Sequence, residues 1–374
     1  MNRQVIYAAA HAHFPDTEPL GGGKAVADFL IRQCPHWQVL SPATCGMALP
    51  KPLVDLSELE YAKFCRQFER VTTAEILQHD PASCVVLTND ISEGPDFAAL
   101  GARGYRVVSL WHVDVVDYFC RMYLRGLVQP ATAARWSRQR WLPDVLKLVF
   151  HKQADCVRHC ALLVVPSAPM KDVILRCYPD CPPSKVAVLP WGNLAEPVVG
   201  EADARQTDAD EVVIMTLSRL SPEKGIERLL RALPLVAGKY RVWICGAPAF
   251  MQGRRYAAKL RRLAGERVEF LGHVTGERKA ALLQRADIFV SASRHESYGL
   301  TIAEAEAAGC RIVSHRHYGA SGTVVDCEQP PALAKVLTEM VGAGRTAKRS
   351  VAQAPSDAAA RLTELLLSPT TNGL

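Results

Sequence analysis

The chain has no run of 18 or more apolar residues, so no membrane-spanning helix is expected. Its twelve cysteines include no CxxC pair and sit mostly inside apolar runs such as CVVL, CALLVV and WICG. They read as buried or helix-surface thiols of a reducing cytoplasm. The densest group, His151, Cys156, His159 and Cys160, lacks the two closely spaced ligand pairs of a structural zinc site, and no metal is expected. No Lys/Arg run is interleaved with aromatics, which argues against nucleic acid as a partner. No GxGxxG follows the first strand. The glycines at 21–23 come after a ten-residue insert and lack the third glycine, which argues against a dehydrogenase. No repeat of 20 to 50 residues is evident. The opening MNRQVIYAAAHAHF breaks at histidines and Pro15, and reads as a buried strand rather than a secretory signal. A cytoplasmic protein is expected.

What is present is ordinary in composition: 374 residues, 49% apolar and 22% charged, enough for two domains. The formal charge of +6 suits an anionic small ligand or an acidic membrane face. Apolar runs at 5–10, 37–42, 83–89, 106–112, 161–167 and 185–190 alternate with amphipathic stretches such as 25–34, 57–80 and 95–104. A second series has strands at 211–220, 240–246, 268–273, 287–293 and 309–315, with helical stretches between them. Such alternation predicts parallel sheets covered on both faces. The acidic, aperiodic stretch 194–211 reads as a connection, giving domains over 1–195 and 211–350 with a linker at 196–210. A last helix falls within 351–374 and is expected to pack back on the first domain. Asp208 and Asp210 form a nominal DxD, but inside that linker. Residues 135–147 combine Trp136, Trp141, Arg135, Arg138, Arg140 and Lys147. This is a candidate for peripheral membrane contact at the inner face. The plainer reading is a domain helix with a solvated basic face, interrupted at Pro143.

Three stretches carry the chemistry. In TLSRLSPEKG (216–225), a strand ends and Arg219 and Lys224 follow within one loop, a pair of cations suited to a diphosphate. In RHESYGLTIAEAEAAG, Gly299 permits close backbone approach to a ligand. The amides of Leu300 and Thr301 then open a helix, whose positive end favours an anion. Glu304, one turn in, can accept from two ribose hydroxyls at once. Glu296 precedes the helix, in the loop facing a bound sugar. Two carboxylates also invite a glycosidase reading. A retaining glycosidase needs them about 5 Å apart, whereas eight helical residues span roughly 12 Å, so they are assigned different substrate groups. Gly246 and Val274 follow strands, where open α/β sheets bind ligands, and backbone groups there suit a nucleotide base.

SRLSPEKG, VEFLGHV, LLQRADIFVSASRHESYGLTIAEAEAAG and the early PLGGGKAVADFL together resemble the retaining glycosyltransferases of family 4, over at least residues 5 to 320. The resemblance implies a GT-B fold: α/β, two facing Rossmann-like domains with the donor in the cleft. Glu296 and Glu304 match the EX7E pattern. Arg219 and Lys224 match the cations on the donor diphosphate, Glu296 the carboxylate at the donor sugar and Glu304 the one at the ribose. Gly299, Leu300 and Thr301 match the segment at the distal phosphate. Gly22 and Gly23 match the glycine-rich loop of the first domain, and His112 the histidine near the transferred sugar. Thr323 stands roughly where the family has a glutamate. The implied activity is transfer, with retention, from a UDP- or GDP-linked sugar to the hydroxyl of a small-molecule, glycan or lipid-linked acceptor. No cofactor is required, since cationic side chains supply the charge. Asp114 and Asp117 are candidate acceptor contacts. The rivals are a nucleotide-sugar epimerase on the same fold and a non-catalytic nucleotide-sugar-binding protein.

Overall fold

The computed structural model describes residues 3–15, 20–49, 51–124, 126–139, 141–194, 211–249, 252–345 and 356–368. The linker expected at 196–210, with Asp208 and Asp210, lies outside them. Among the described residues the chain divides into two compact units. The first falls within Met1–Pro15, Gly22–Trp191 and Asp357–Leu374, and the second within Asp16–Gly21 and Gly192–Ser356.

The first unit is built on β1 (Gln4–Ala8), β2 (Gln38–Leu40), β3 (Cys84–Thr88), β4 (Val107–Leu110), β5 (Leu162–Val165) and β6 (Val186–Val188). They form one parallel sheet in the order β2-β1-β3-β4-β5-β6. Helices cover both faces, so a central strand such as CVVLT is buried at every position and shows no polar alternation. The helix Glu58–Ile76 begins at a reciprocal cap: Ser57 N donates to Glu60 Oε2 at 2.8 Å, and Glu60 N donates to Ser57 Oγ at 3.4 Å. The last helix, Ala358–Leu367, belongs to this unit, and Arg106 donates to the carbonyls of Leu365 and Leu366.

The second unit contains β7 (Val212–Leu217), β8 (Tyr240–Cys245), β9 (Val268–Gly272), β10 (Ile288–Ser291), β11 (Arg311–Ser314) and β12 (Thr323–Val324). Its parallel order is β12-β11-β10-β7-β8-β9. Strand pleating sends alternate side chains of β7 to two cores. Val212 and Ile214 join one with Leu229, Leu260 and Leu337, while Val213 and Met215 join the other with Trp243, Phe289 and Ile302.

Both sheets reverse direction once. The chain goes from β1 out to β2, then returns to lay β3 on the other side of β1. It likewise goes from β7 to β8 and β9, then returns to lay β10 beside β7. Open parallel sheets bind ligands beyond the carboxyl ends of the strands at such switch points. Two places are therefore marked by topology alone: the ends of β1 and β3, and the ends of β7 and β10.

Residues 131–159 do not form one helix. A short helix Pro130–Ala134 and a 3-10 turn Arg135–Arg138 are followed by the helix Asp144–His159, with Pro143 immediately before it. Trp136 and Trp141 pack edge to face at 5.1 Å, and Trp141 remains 62% exposed. Arg140 and the side chain of Arg138 lie outside the described residues. Among the described residues, no helix is long and apolar enough to cross a membrane.

Candidate functional site

In the second unit, β7 leads into Ser218 and Arg219, then a 3-10 turn Pro222–Lys224. Beside it, β10 leads into the loop carrying Ser293 and Glu296. The two loops are laced together: Arg294 N donates to Glu223 O at 2.7 Å and Arg228 Nη1 to Ala292 O at 3.0 Å. This lacing brings Lys224 Nζ within 2.6 Å of Glu296 Oε1, which also accepts from Ser293 Oγ at 2.9 Å. Burial alone would raise the Glu296 carboxyl. The Lys224 charge and hydrogen bond outweigh it and hold the group at about 2, fully ionised at neutral pH.

Arg219 lies in the same turn, with Nη2 3.4 Å from Glu223 Oε1. Glu223 is in turn fixed by Ser221 Oγ at 2.5 Å. Gly21, which groups with this unit, packs on Arg219: a Cβ there would sit 3.5 Å from Nε.

After Glu296 the chain turns at Gly299, whose φ of +82° is left-handed, and enters the helix Leu300–Ala307. Ile302 and Ala303 donate back to Gly299 O, so the amides of Leu300 and Thr301 stand ahead of the first bonded turn. Glu304 is nearly buried and accepts from Lys279 Nζ, on the helix Gly276–Arg285, at 2.7 Å. Each of these two carboxylates thus has its own cation, Lys224 for Glu296 and Lys279 for Glu304.

His317, after β11, was not singled out from the sequence. Its Nε2 lies 3.4 Å from Ser291 Oγ, and its Nδ1 is buried without a hydrogen-bond partner among the described residues. Burial pushes the ring down to about 4, against the pull of Glu296. Gly246 follows β8 with φ +148°, and a Cβ there would lie 1.8 Å from Ser218 O. Glycine is demanded at this position by the neighbouring backbone itself. Val274 is buried in the core with Leu271 and Leu282.

In the first unit, β1 is followed by His11 and β3 by Asn89 and Asp90, at the other switch point. His11 Nδ1 lies 3.1 Å from Asp90 Oδ1 and its Nε2 3.4 Å from Glu93 Oε1. Tyr61 donates to the same Glu93 carboxylate. Burial opposes the charged imidazole, but Asp90 and then Glu93 prevail and raise the His11 pKa well above its ordinary value. His112, after β4, places Nε2 3.2 Å from Asn89 Oδ1. Gly22 and Gly23 open the helix Gly22–Gln33, and a Cβ on Gly23 would lie 3.2 Å from Asp90 Oδ1 and 3.7 Å from His112 Cδ2. Four residues of this cluster, His11, Asn89, Asp90 and Glu93, escaped the sequence reading.

Asp114 and Asp117, expected as acceptor contacts, have structural tasks instead. Asp114 is fully buried, caps the helix Val115–Met122 by accepting from Asp117 N at 2.8 Å, and has its carboxyl raised to about 6 by burial. Asp117 is 1% exposed and accepts from Arg121 Nε at 2.8 Å. Neither carboxylate is open to an acceptor. Among the described residues, no three His, Cys, Asp or Glu side chains are grouped to hold a metal ion.

Residues 201–350 match the family described as glycosyl transferases group 1. An uncharacterized glycosyltransferase of Methanocaldococcus jannaschii is 31% identical over 167 residues, 41% of this chain and 42% of that protein. The D-inositol 3-phosphate glycosyltransferase of Corynebacterium kroppenstedtii is 29% identical over 265 residues, 64% of this chain and 57% of that protein. The aligned chain therefore spans less than two thirds of these curated relatives. Among solved structures, the sucrose-phosphate synthase of Thermosynechococcus elongatus matches with a TM-score of 0.66 at 18% identity, covering 98% of this chain and 95% of that one. Anabaena HepE, solved with UDP and glucose, matches at 0.60 and 15%, covering 98% and 96%. The fold is thus the GT-B fold of glycosyltransferases, an α/β architecture with two parallel six-stranded sheets.

Proposed function

We propose that the protein is a retaining, metal-independent glycosyltransferase of family 4 type that moves a sugar from a UDP- or GDP-linked donor to an acceptor hydroxyl. The observation that carries this reading is the Lys224–Glu296 pair at the switch point of the second sheet, beside the open amides of Leu300 and Thr301. The match of residues 201–350 to glycosyl transferases group 1 supports it.

On this reading the diphosphate enters between Arg219, Lys224 and the start of the helix Leu300–Ala307. The reaction's difficult step is departure of that diphosphate while positive charge develops on the sugar. Preorganised cations and amides stabilise the leaving group as its charge grows. Glu296, kept ionised, accepts from hydroxyls of the donor sugar. Glu304, held by Lys279, accepts from the ribose diol, and backbone groups near Gly246 and Val274 read the base. The acceptor loses its proton to a phosphate oxygen on the same face. His112 is assigned to a sugar hydroxyl, and the backbone of Gly22 and Gly23 to phosphate. The exposed Trp141 with its neighbouring basic residues is the candidate contact to a membrane that presents a lipid-linked acceptor.

The test is incubation with a panel of UDP- and GDP-sugars, followed by nucleotide release and product mass. Hydrolysis or acceptor-dependent release of the nucleotide, with the anomeric configuration kept, supports the assignment. Conversion of the sugar without release would make the protein an epimerase, and binding without turnover would make it a nucleotide-sugar-binding protein.

A further inference from the structure

The amide of Asn89 is held in one orientation. Its Nδ2 donates to Gly23 O at 3.1 Å and to Asp90 Oδ2 at 3.1 Å. Flipping it would set an oxygen against a carbonyl and a carboxylate, two repulsive contacts in a buried place. The oxygen therefore faces the other way, where Tyr7 OH donates to it at 2.7 Å and His112 Nε2 lies 3.2 Å away. A carbonyl-type oxygen offers two lone pairs and no proton. Tyr7 fills one. The other meets His112 Nε2, which must carry hydrogen there.

We propose that Asn89 is a positioning residue that fixes His112 as the Nε2–H tautomer, so that ring Nδ1 offers a lone pair to a sugar hydroxyl. His112 is half-buried at the carboxyl end of β4, and Asn89 is its hydrogen-bonding neighbour, through the side-chain oxygen at Nε2 and through the backbone. The chain of control runs further back. His11, charged between Asp90 and Glu93, keeps Asp90 ionised; Asp90 orients the Asn89 amide; Asn89 orients His112. Burial and the His11 charge hold the His112 pKa below its ordinary value, against Asp90, so the ring stays neutral and Nδ1 stays an acceptor. That the hydroxyl belongs to a sugar rests on the glycosyltransferase reading; the tautomer does not.

The experiment is long-range proton–nitrogen correlation of the full chain labelled with nitrogen-15 histidine, with His112→Gln identifying the signal. One protonated Nε2 and one bare Nδ1 between pH 6 and 8, turning into a tautomer mixture in Asn89→Ala, is the expected result. A protonated Nδ1 in the wild type, or an unchanged signal in Asn89→Ala, overturns the proposal. If Asn89→Ala does not fold, the wild-type spectrum alone decides. A second arm uses deoxy analogues of whichever UDP- or GDP-sugar is turned over. One deoxy position should lower kcat/KM about tenfold in the wild type and less than twofold in His112→Ala. Equal losses in both proteins would sink the hydroxyl contact. If no nucleotide sugar is turned over, the glycosyltransferase reading and the hydroxyl contact fail together, while the spectrum still judges the tautomer.

Discussion

Lys224 Nζ and Glu296 Oε1, 72 residues apart in sequence, meet at 2.6 Å where β7 and β10 run out side by side. The carboxylate stays ionised because the ammonium is there. Lys224→Ala therefore removes two things, a cation for the leaving diphosphate and the partner of Glu296. Turnover should fall more than tenfold. Burial then dominates at Glu296 and raises its pKa, so the acid limb of the activity profile should move to higher pH. Profiles of kcat/KM for both proteins between pH 4 and 8 check this, and superimposable limbs would speak against the pairing.

Lys279 holds Glu304 at 2.7 Å without belonging to the stretch that suggested the site. On the assignment of Glu304 to the ribose, Glu304→Ala should raise the donor KM about tenfold and leave kcat within twofold. Lys279→Ala should do the same, more weakly. Initial rates over a range of donor concentration decide it. An effect confined to acceptor KM would contradict the placement.

His317 gives the fold an acid sensitivity. Its folded pKa, about 4, lies below the ordinary histidine value of 6.5. The unfolded chain then binds a proton that the folded one refuses. Stability from this group is fully present above about pH 6.5 and declines as pH falls toward 4. His317→Gln should flatten the fall in Tm between pH 7 and 5. An unaltered slope would mean that other groups carry the dependence.

Gly246 separates a structural demand from a binding one. A methyl there would meet Ser218 O at 1.8 Å. Gly246→Ala should cost at least about 2 kcal/mol and lower the Tm by about 5 °C, with or without nucleotide. Calorimetry that finds a normal Tm would show that the β8 end relaxes easily.

The strands were legible because a parallel strand covered on both faces has to be apolar throughout, as CVVLT and VVIMTL are. Arg219, Lys224, Glu296 and Gly299 were legible because charges and a glycine follow directly on such runs. Strand order was not legible, and order decides which loops meet. His11 and Asn89 are unremarkable polar residues at two strand ends until β3 is seen beside β1. Their one signal was a polar residue placed immediately after a buried run. Lys279 resembles any solvated lysine of an amphipathic helix. Asp114 misled in the opposite sense, since an N-cap aspartate and a substrate-binding one look alike in sequence.

A crystal structure with UDP or GDP tests the central claim most directly. Diphosphate oxygens should lie within hydrogen-bond reach of Lys224 Nζ, the Arg219 guanidinium and the amides of Leu300 and Thr301. A nucleotide bound elsewhere, with Lys224 still closed on Glu296, would contradict it.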